Sequence, residues 1–252
     1  MKSSTNDAVL DRAFRLLNAF RVGASELTLD ELAAASGLAR STAHRLTGQL
    51  VSLGLLERSQ RGWRLGMTLF ELGQLVPRQQ RLRDVALAYM EDLYEATKET
   101  VQLAVLDESE VLYLEIISGH RKVNTPSRRG GRMPAHCTAL GKAMLAFSDD
   151  VGRSWIDRNR PLVTRTARTL DDPRELAKEL QDIRRAGLAY DREESTAGLV
   201  CVAAPLLTSD GTARAAMSVS MPAGGRITPA QVAPAVRTGA RALTRELARL
   251  HA

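Results

Sequence analysis

A chain of 252 residues exceeds the roughly 100–200 of a typical single domain, so two modules are expected, and 44% hydrophobic with 25% charged residues excludes a largely disordered chain. A net charge of +6 with a pI near 9.7 favours an acidic partner such as nucleic acid. No apolar run approaches the ~20 residues of a membrane crossing, the first residues lack a signal-peptide pattern, and Cys137 and Cys201 match no metal or redox spacing; a cytoplasmic protein with free thiols, no metal and no cofactor is expected.

Val9, Ala13, Leu16, Leu17 and Phe20 recur at helical spacing, which predicts an amphipathic helix over about 7–22 that stops at Gly23. Thr28 followed by Glu31 has the form of a capping box, so a second helix starts there and runs to Ser36-Gly37. A third begins near Arg40, with Ala39, Ala43, Leu46, Leu50 and Leu53 on its apolar side. Two short helices joined by a tight glycine turn are the ingredients of a helix-turn-helix. The opposite face carries Arg40, Ser41, Thr42, His44, Arg45, Thr47 and Gln49, which can donate to phosphates and base edges, and no acid. His44 alone is weak evidence, since an exposed histidine is more often solvated. From Gly37 to Leu65 five arginines stand against one acid, Glu57. After Gly54, residues 55–65 read as a hairpin turning near Arg61-Gly62, a wing whose Arg61 and Arg64 would track phosphate. The alternative is a helical subdomain with a solvated basic face; the ordered run of helix, helix-turn-helix and arginine-bearing hairpin argues against it.

Leu69, Leu72 and Val76 keep helical spacing until Pro77, which cannot donate the helical hydrogen bond, and a boundary is placed there. From Arg78 to Thr97 a connector helix presents Leu82, Val85, Tyr89, Leu93 and Ala96 as one stripe, available to a second subunit or to its own domain. Strands over 100–107 and 110–118 form a hairpin, helices follow over 137–147, after Asp149 and over 173–186, strands over 200–207 and 213–221 turn at Ser209-Asp210-Gly211, and a last helix spans 229–250. The fold class is α/β (α+β) with a mostly antiparallel sheet, divided into a winged helix-turn-helix (1–76), a connector helix (77–98) and a second domain (99–252).

Four segments in order resemble the IclR family of transcriptional regulators: Leu38-Ala39-Arg40-Ser41-Thr42-Ala43-His44-Arg45-Leu46, its recognition helix; Met133-Pro134-Ala135-His136-Cys137-Thr138-Ala139-Leu140-Gly141-Lys142-Ala143; Gly187-Leu188-Ala189-Tyr190-Asp191-Arg192-Glu193-Glu194; and Gly198 to Pro205. The resemblance implies a GAF-like effector domain, homodimers made through the DNA-binding region and often dimers of dimers, a palindromic operator, and a small carboxylic or aromatic acid as effector of a repressor or activator. It nominates Ala139, Leu140, Asp191, Leu199, Cys201, Ser218 and Ser220 as effector contacts. Read physically, Ser218 and Ser220 share one strand face, as do Cys201 and Ala203, and the helix start near Ala139 favours a carboxylate. Asp191 would repel an anion unless it accepts from a hydroxyl or amino group elsewhere on the ligand.

Two rival functions fail on the residues. Catalysis lacks a Gly-x-Ser-x-Gly elbow and a His-Glu-x-x-His pair, Gly141-Lys142 lacks the preceding glycine of a phosphate loop, and the adjacent His136 and Cys137 head in different directions. An architectural DNA binder would need no second domain of about 150 residues.

Overall fold

The computed structural model describes residues 8–120, 127–148, 156–157 and 161–250; the helix expected after Asp149 lies largely outside them. The chain divides into two compact units, Met1–Gln80 and Arg81–Ala252.

In the first unit α1 (Val9–Asn18) runs into a 3₁₀ turn, Ala19–Val22, and ends at Gly23, whose φ of 92° glycine adopts without strain. The capping box forms at the head of α2 (Leu29–Ser36): the Glu31 amide donates to Thr28 Oγ1 at 3.3 Å and the Thr28 amide to Glu31 Oε2 at 2.7 Å. Gly37, φ 64°, turns the chain into α3 (Arg40–Ser52). Leu16, Leu32, Ala43, Leu46, Leu50 and Leu56 form the core between them. Leu53, expected on the apolar side, lies past the end of α3 and is exposed.

The wing is the antiparallel pair β1 (Leu56–Arg58) and β2 (Trp63–Leu65), closed by a Ser59–Gly62 turn in which the Ser59 amide donates to the Gly62 carbonyl. Trp63 exchanges two backbone hydrogen bonds of 2.9 Å with Leu27, pinning the hairpin to the approach of α2. A Cβ at Gly62 would lie 2.2 Å from the Leu27 oxygen, so this close approach requires glycine. α4 (Met67–Gln74) follows, and none of its residues is buried.

Pro77 opens α5 (Pro77–Thr97), where its missing N–H is harmless. Leu82, Val85, Tyr89 and Leu93 of the expected stripe pack with Ala86 and Met90 into the core of the second unit, while Ala96 is exposed. That core is split by a six-stranded sheet of β3 (Thr100–Asp107), β4 (Glu110–Ile117), β5 (Arg132–Pro134), β6 (Ala189–Arg192), β7 (Leu199–Leu207) and β8 (Ala213–Pro222), in the order β5-β4-β3-β8-β7-β6. All neighbouring pairs are antiparallel. One face packs against α6 (Ala139–Ala146) and α7 (Pro173–Ala186), the other against α5 and α8 (Pro229–Arg249). Covered on both faces, β7 is buried almost throughout, which is why its sequence is a continuous apolar run. A bulge between Leu103 and Ala104 shifts the register from Leu103↔Glu115 to Ala104↔Tyr113 and leaves Leu114 extra. No described helix is long and apolar enough to cross a membrane.

α6 is buried at each of its eight positions and lies directly on the 3₁₀ turn Ala135–Cys137. A Cβ at Gly141 would stand 2.1 Å from the Ala135 oxygen and 2.4 Å from its Cα, and backbone cannot yield as a side chain can. Gly141→Ala is therefore expected to destabilise the second unit by about 1–3 kcal/mol. A lower urea midpoint at unchanged m-value would show it; a wild-type midpoint would contradict the packing described.

Candidate functional site

On α3, Arg40, Ser41, His44 and Arg45 are exposed and Thr42 is half-buried. Arg40 pairs with Asp30 of α2 at 3.0 Å, both side chains 68% exposed, a contact weak enough to exchange for another anion. Thr47 does not share this face: it is fully buried, and its hydroxyl donates to the His44 carbonyl at 2.8 Å, because it falls on the stripe beside Leu46 and Leu50. Arg61 stands exposed in the wing turn. Arg64 already has a partner, its Nε and Nη2 lying 2.9 and 2.8 Å from Glu57 Oε2. Those bonds hold the Glu57 carboxyl below its ordinary pKa. Arg58, counted in the charge reading but not nominated, lies 5.7 Å above the Trp63 ring. With Glu26, Ser59, Gln60, Arg61 and Arg64 it surrounds a depression of about 590 Å³. Its signal was the strand register, which places Arg58 opposite Trp63 at the base of the turn.

The seven nominated effector residues gather on the α6 face. Asp191, Cys201 and Ser220 are register partners in adjacent strands and form one row across β6, β7 and β8; the next row on that face runs from Ala189 through Ala203 and Ser218 to Gln102 of β3. Leu199 and Cys201 share a core cluster with Ala139 and Leu140 at the head of α6. All seven are buried. Both serine hydroxyls donate to Gln102 Oε1, Ser218 at 3.2 Å and Ser220 at 2.9 Å. Gln102, 3% exposed, was missed because a lone glutamine in an apolar strand carries no motif. Asp191 accepts from Ser195 Oγ at 2.5 Å and from the amides of Glu194 and Ser195 at 2.7 and 3.3 Å. Burial nevertheless raises its pKa above the usual carboxylate value, the hydrogen bonds opposing.

Behind the row lies Lys142 of α6, fully buried. Its Nζ is 2.7 and 2.5 Å from the two Glu194 oxygens and 2.9 Å from Glu179 Oε1 of α7. The thiols do not look reactive: burial pushes Cys137 up to about 12 and Cys201 well above its ordinary value. His136 and Cys137 turn to different acceptors, the Val163 and Pro134 carbonyls. Among the described residues no cluster of three or more His, Cys, Asp or Glu could hold a metal ion.

A family model described as the IclR helix-turn-helix domain matches residues 9–60, and one described as the bacterial transcriptional regulator IclR C-terminal matches residues 74–245. The HTH-type transcriptional regulator BhcR of Paracoccus denitrificans is 35% identical over 215 residues, 84% of this chain and 77% of that one. XynR of Escherichia coli, also an HTH-type transcriptional regulator, is 32% identical over 213 residues, 84% of each. Among solved structures, an IclR homolog complexed with 4-hydroxybenzoate from Microbacterium hydrocarbonoxydans matches with a TM-score of 0.84 at 33% identity, over 95% of this chain and 99% of that one.

Proposed function

The chain belongs to the IclR family of bacterial transcriptional regulators, DNA-binding proteins and not enzymes, and on that premise we propose that α3 reads a palindromic operator while a small hydroxy acid, held on the α6 face of the sheet, modulates binding. The protein works in the cytoplasm, with 1–76 as the DNA-binding domain, 77–98 as the connector and 99–252 as the effector domain.

Arg40, Ser41, Thr42, His44 and Arg45 enter the major groove, and Arg61, Arg64 and the added Arg58 follow phosphate. The exposure of that α3 face, acid-free along its length, supports this reading. A palindrome needs two copies, and the surface offers a place for the second. On α1, Val9, Leu10 and Phe14 are 51%, 81% and 60% exposed; on and after α4, Met67, Phe70, Leu72, Leu75 and Val76 are exposed too. A helix that buries nothing while presenting apolar side chains is incomplete as a monomer.

One observation carries the effector reading: Asp191, Cys201 and Ser220 align in one row with Ser218 beside them, under the head of α6. Two hydroxyl donors and a helix start suit a carboxylate. The Asp191 carboxylate accepts three hydrogen bonds and has room for a fourth, from a ligand hydroxyl at the far end. 4-Hydroxybenzoate, bound by the Microbacterium hydrocarbonoxydans homolog, has both groups, and an aromatic hydroxy acid is the class we assign. Ala139, Leu140, Leu199 and Cys201 supply its apolar walls.

With an operator selected in vitro from random DNA, Arg40→Ala with Arg45→Ala should cost about 1–3 kcal/mol per base contact and relax specificity, whereas Arg61→Ala should weaken all sequences alike and reduce the salt slope by about one. Unchanged operator affinity in the double variant would contradict the assignment. Phe14→Glu with Phe70→Glu should shift the protein toward monomer in sedimentation at micromolar concentration; an unaltered wild-type profile would move the dimer elsewhere. Calorimetry with 4-hydroxybenzoate and a panel of small hydroxy acids should find a ligand whose affinity falls about tenfold or more in Ser218→Ala with Ser220→Ala, with operator binding intact in its absence. Wild-type affinity in that variant would refute the site, and lost operator binding would make the serines structural.

A further inference from the structure

We propose that Gln102 is the positioning residue of the carboxylate site and passes the state of the two serine hydroxyls to α5 through Ser127, Arg129, Glu115 and Arg83. This rests on the reading of the α6 face as the effector site and adds how occupancy leaves it.

Gln102 stands at the centre of the hydrogen bonds. Its Oε1 takes both serine hydroxyls, and its Nε2 donates to Ser127 Oγ at 2.9 Å. A ligand carboxylate competes for the same two donors. Once they turn to it, Oε1 becomes a buried acceptor without its donors, a state that folded proteins avoid. The amide relieves it by turning over: Nε2 then donates to the carboxylate, and Oε1 faces Ser127, whose hydroxyl must donate where it had accepted. Binding therefore reverses the direction of one hydrogen bond at Ser127.

The sheet separates the α6 face from the α5 face, and Ser127 lies where the chain passes around its edge. β5 pairs only with Glu110, Val111 and Leu112, so beyond Leu112 the outer edge of β4 meets the turn that starts at Ser127. Gly130 donates to the Tyr113 carbonyl at 2.8 Å, and the Tyr113 amide donates to Gly131 at 3.1 Å. This short turn carries both Ser127 and Arg129, so a shift at one moves the other. Arg129 pairs with Glu115 Oε1, and Glu115 Oε2 lies 3.7 Å from Arg83 Nε on α5. The β3–β4 bulge sets Glu115 there, its side chain 8% exposed and facing α5. Arg83 is in the second turn of the helix that begins at Pro77 in the first unit and continues from Arg81 into the second. Each link is a direct polar contact, or a step along one short turn.

Spatial continuity alone does not show coupling, so the test is a double-mutant cycle on the full chain, read by hydrogen exchange of the α5 amides over 81–90. Gln102→Met removes the serine and Ser127 bonds with little change in shape, and Glu115→Gln removes the charge that holds Arg83 and Arg129. Each single variant should speed exchange over 81–90 several-fold, and the double variant should exchange no faster than Glu115→Gln alone. Additive effects, or an unchanged 81–90 segment in Gln102→Met, would overturn the relay. Should Gln102→Met fail to melt cooperatively, Ser127→Ala cuts the same link from the turn, and unchanged exchange there is equally fatal. No arm uses a ligand, so a failed relay leaves the carboxylate site standing; failure of that site shows instead as wild-type affinity for the calorimetric ligand in the serine double variant.

Discussion

The Lys142 ammonium has no route to water, and much of the second unit is arranged around that fact. It sits on α6, a helix buried on every side, where a cation without partners would cost several kcal/mol. Two carboxylates meet it, Glu194 from the turn after β6 and Glu179 from α7. Removing Lys142 would leave the buried Glu194 carboxylate without its cation, a loss on the order of 3–5 kcal/mol, whereas removing one carboxylate leaves the ammonium still paired with the other. The bond therefore fixes where three elements stand. It sets the turn at Glu194 and Ser195, and that turn supplies all three donors that orient Asp191. It also holds α6 against the sheet, with Ala139 and Leu140 over the row of Cys201 and Ser220. Burial pushes the Glu194 carboxyl upward and Lys142 pulls it back, so the pair is stable only as a unit.

The first unit rests on a different constraint, the smallness of its parts. A wing with two three-residue strands cannot be stable alone, and it borrows a third segment: Leu27 pairs with Trp63, and Gly62 lets the two backbones touch. Glu57 adds a second tie, accepting from Arg64 across the hairpin and from the Met67 amide at the head of α4 at 3.2 Å. The wing acid thus does two structural tasks, and the arginine surplus around it stays outward.

Signals that act locally were legible in the sequence. The Thr28–Glu31 box, the helix starts at 173 and 229, the Gly23 stop and the Asp210-Gly211 turn act within a few residues, and the structure shows each. β5 and β6 escaped because three or four residues cannot show a period of two. Thr47 was misplaced for a related reason: a single hydroxyl on a buried stripe satisfies itself on the preceding turn and leaves no mark in the pattern. The seven nominated effector residues came from family resemblance rather than from periodicity. What neither could supply was Gln102, since its importance lies in 116 and 118 residues of sequence separation from the two serines it holds.

That all seven nominated residues are buried bears on how such a site could control anything. An open surface groove can fill without the protein noticing, because the bound and free forms need not differ elsewhere. On the proposed reading, a ligand held between α6, the sheet and the Asp191 turn enters only as some of the hydrogen bonds there change partners. The serine hydroxyls are already spent on Gln102, so the free energy of binding is divided between the new bonds and the rearrangement of old ones. A ligand shifts a conformational balance only by as much as it prefers one arrangement over the other, typically about 1–3 kcal/mol. A buried hydrogen bond is worth about 1 kcal/mol net, so a difference of one to three such bonds between the two arrangements is of that size. On the proposed reading, enclosure, which slows entry, is also what lets occupancy be felt at α5.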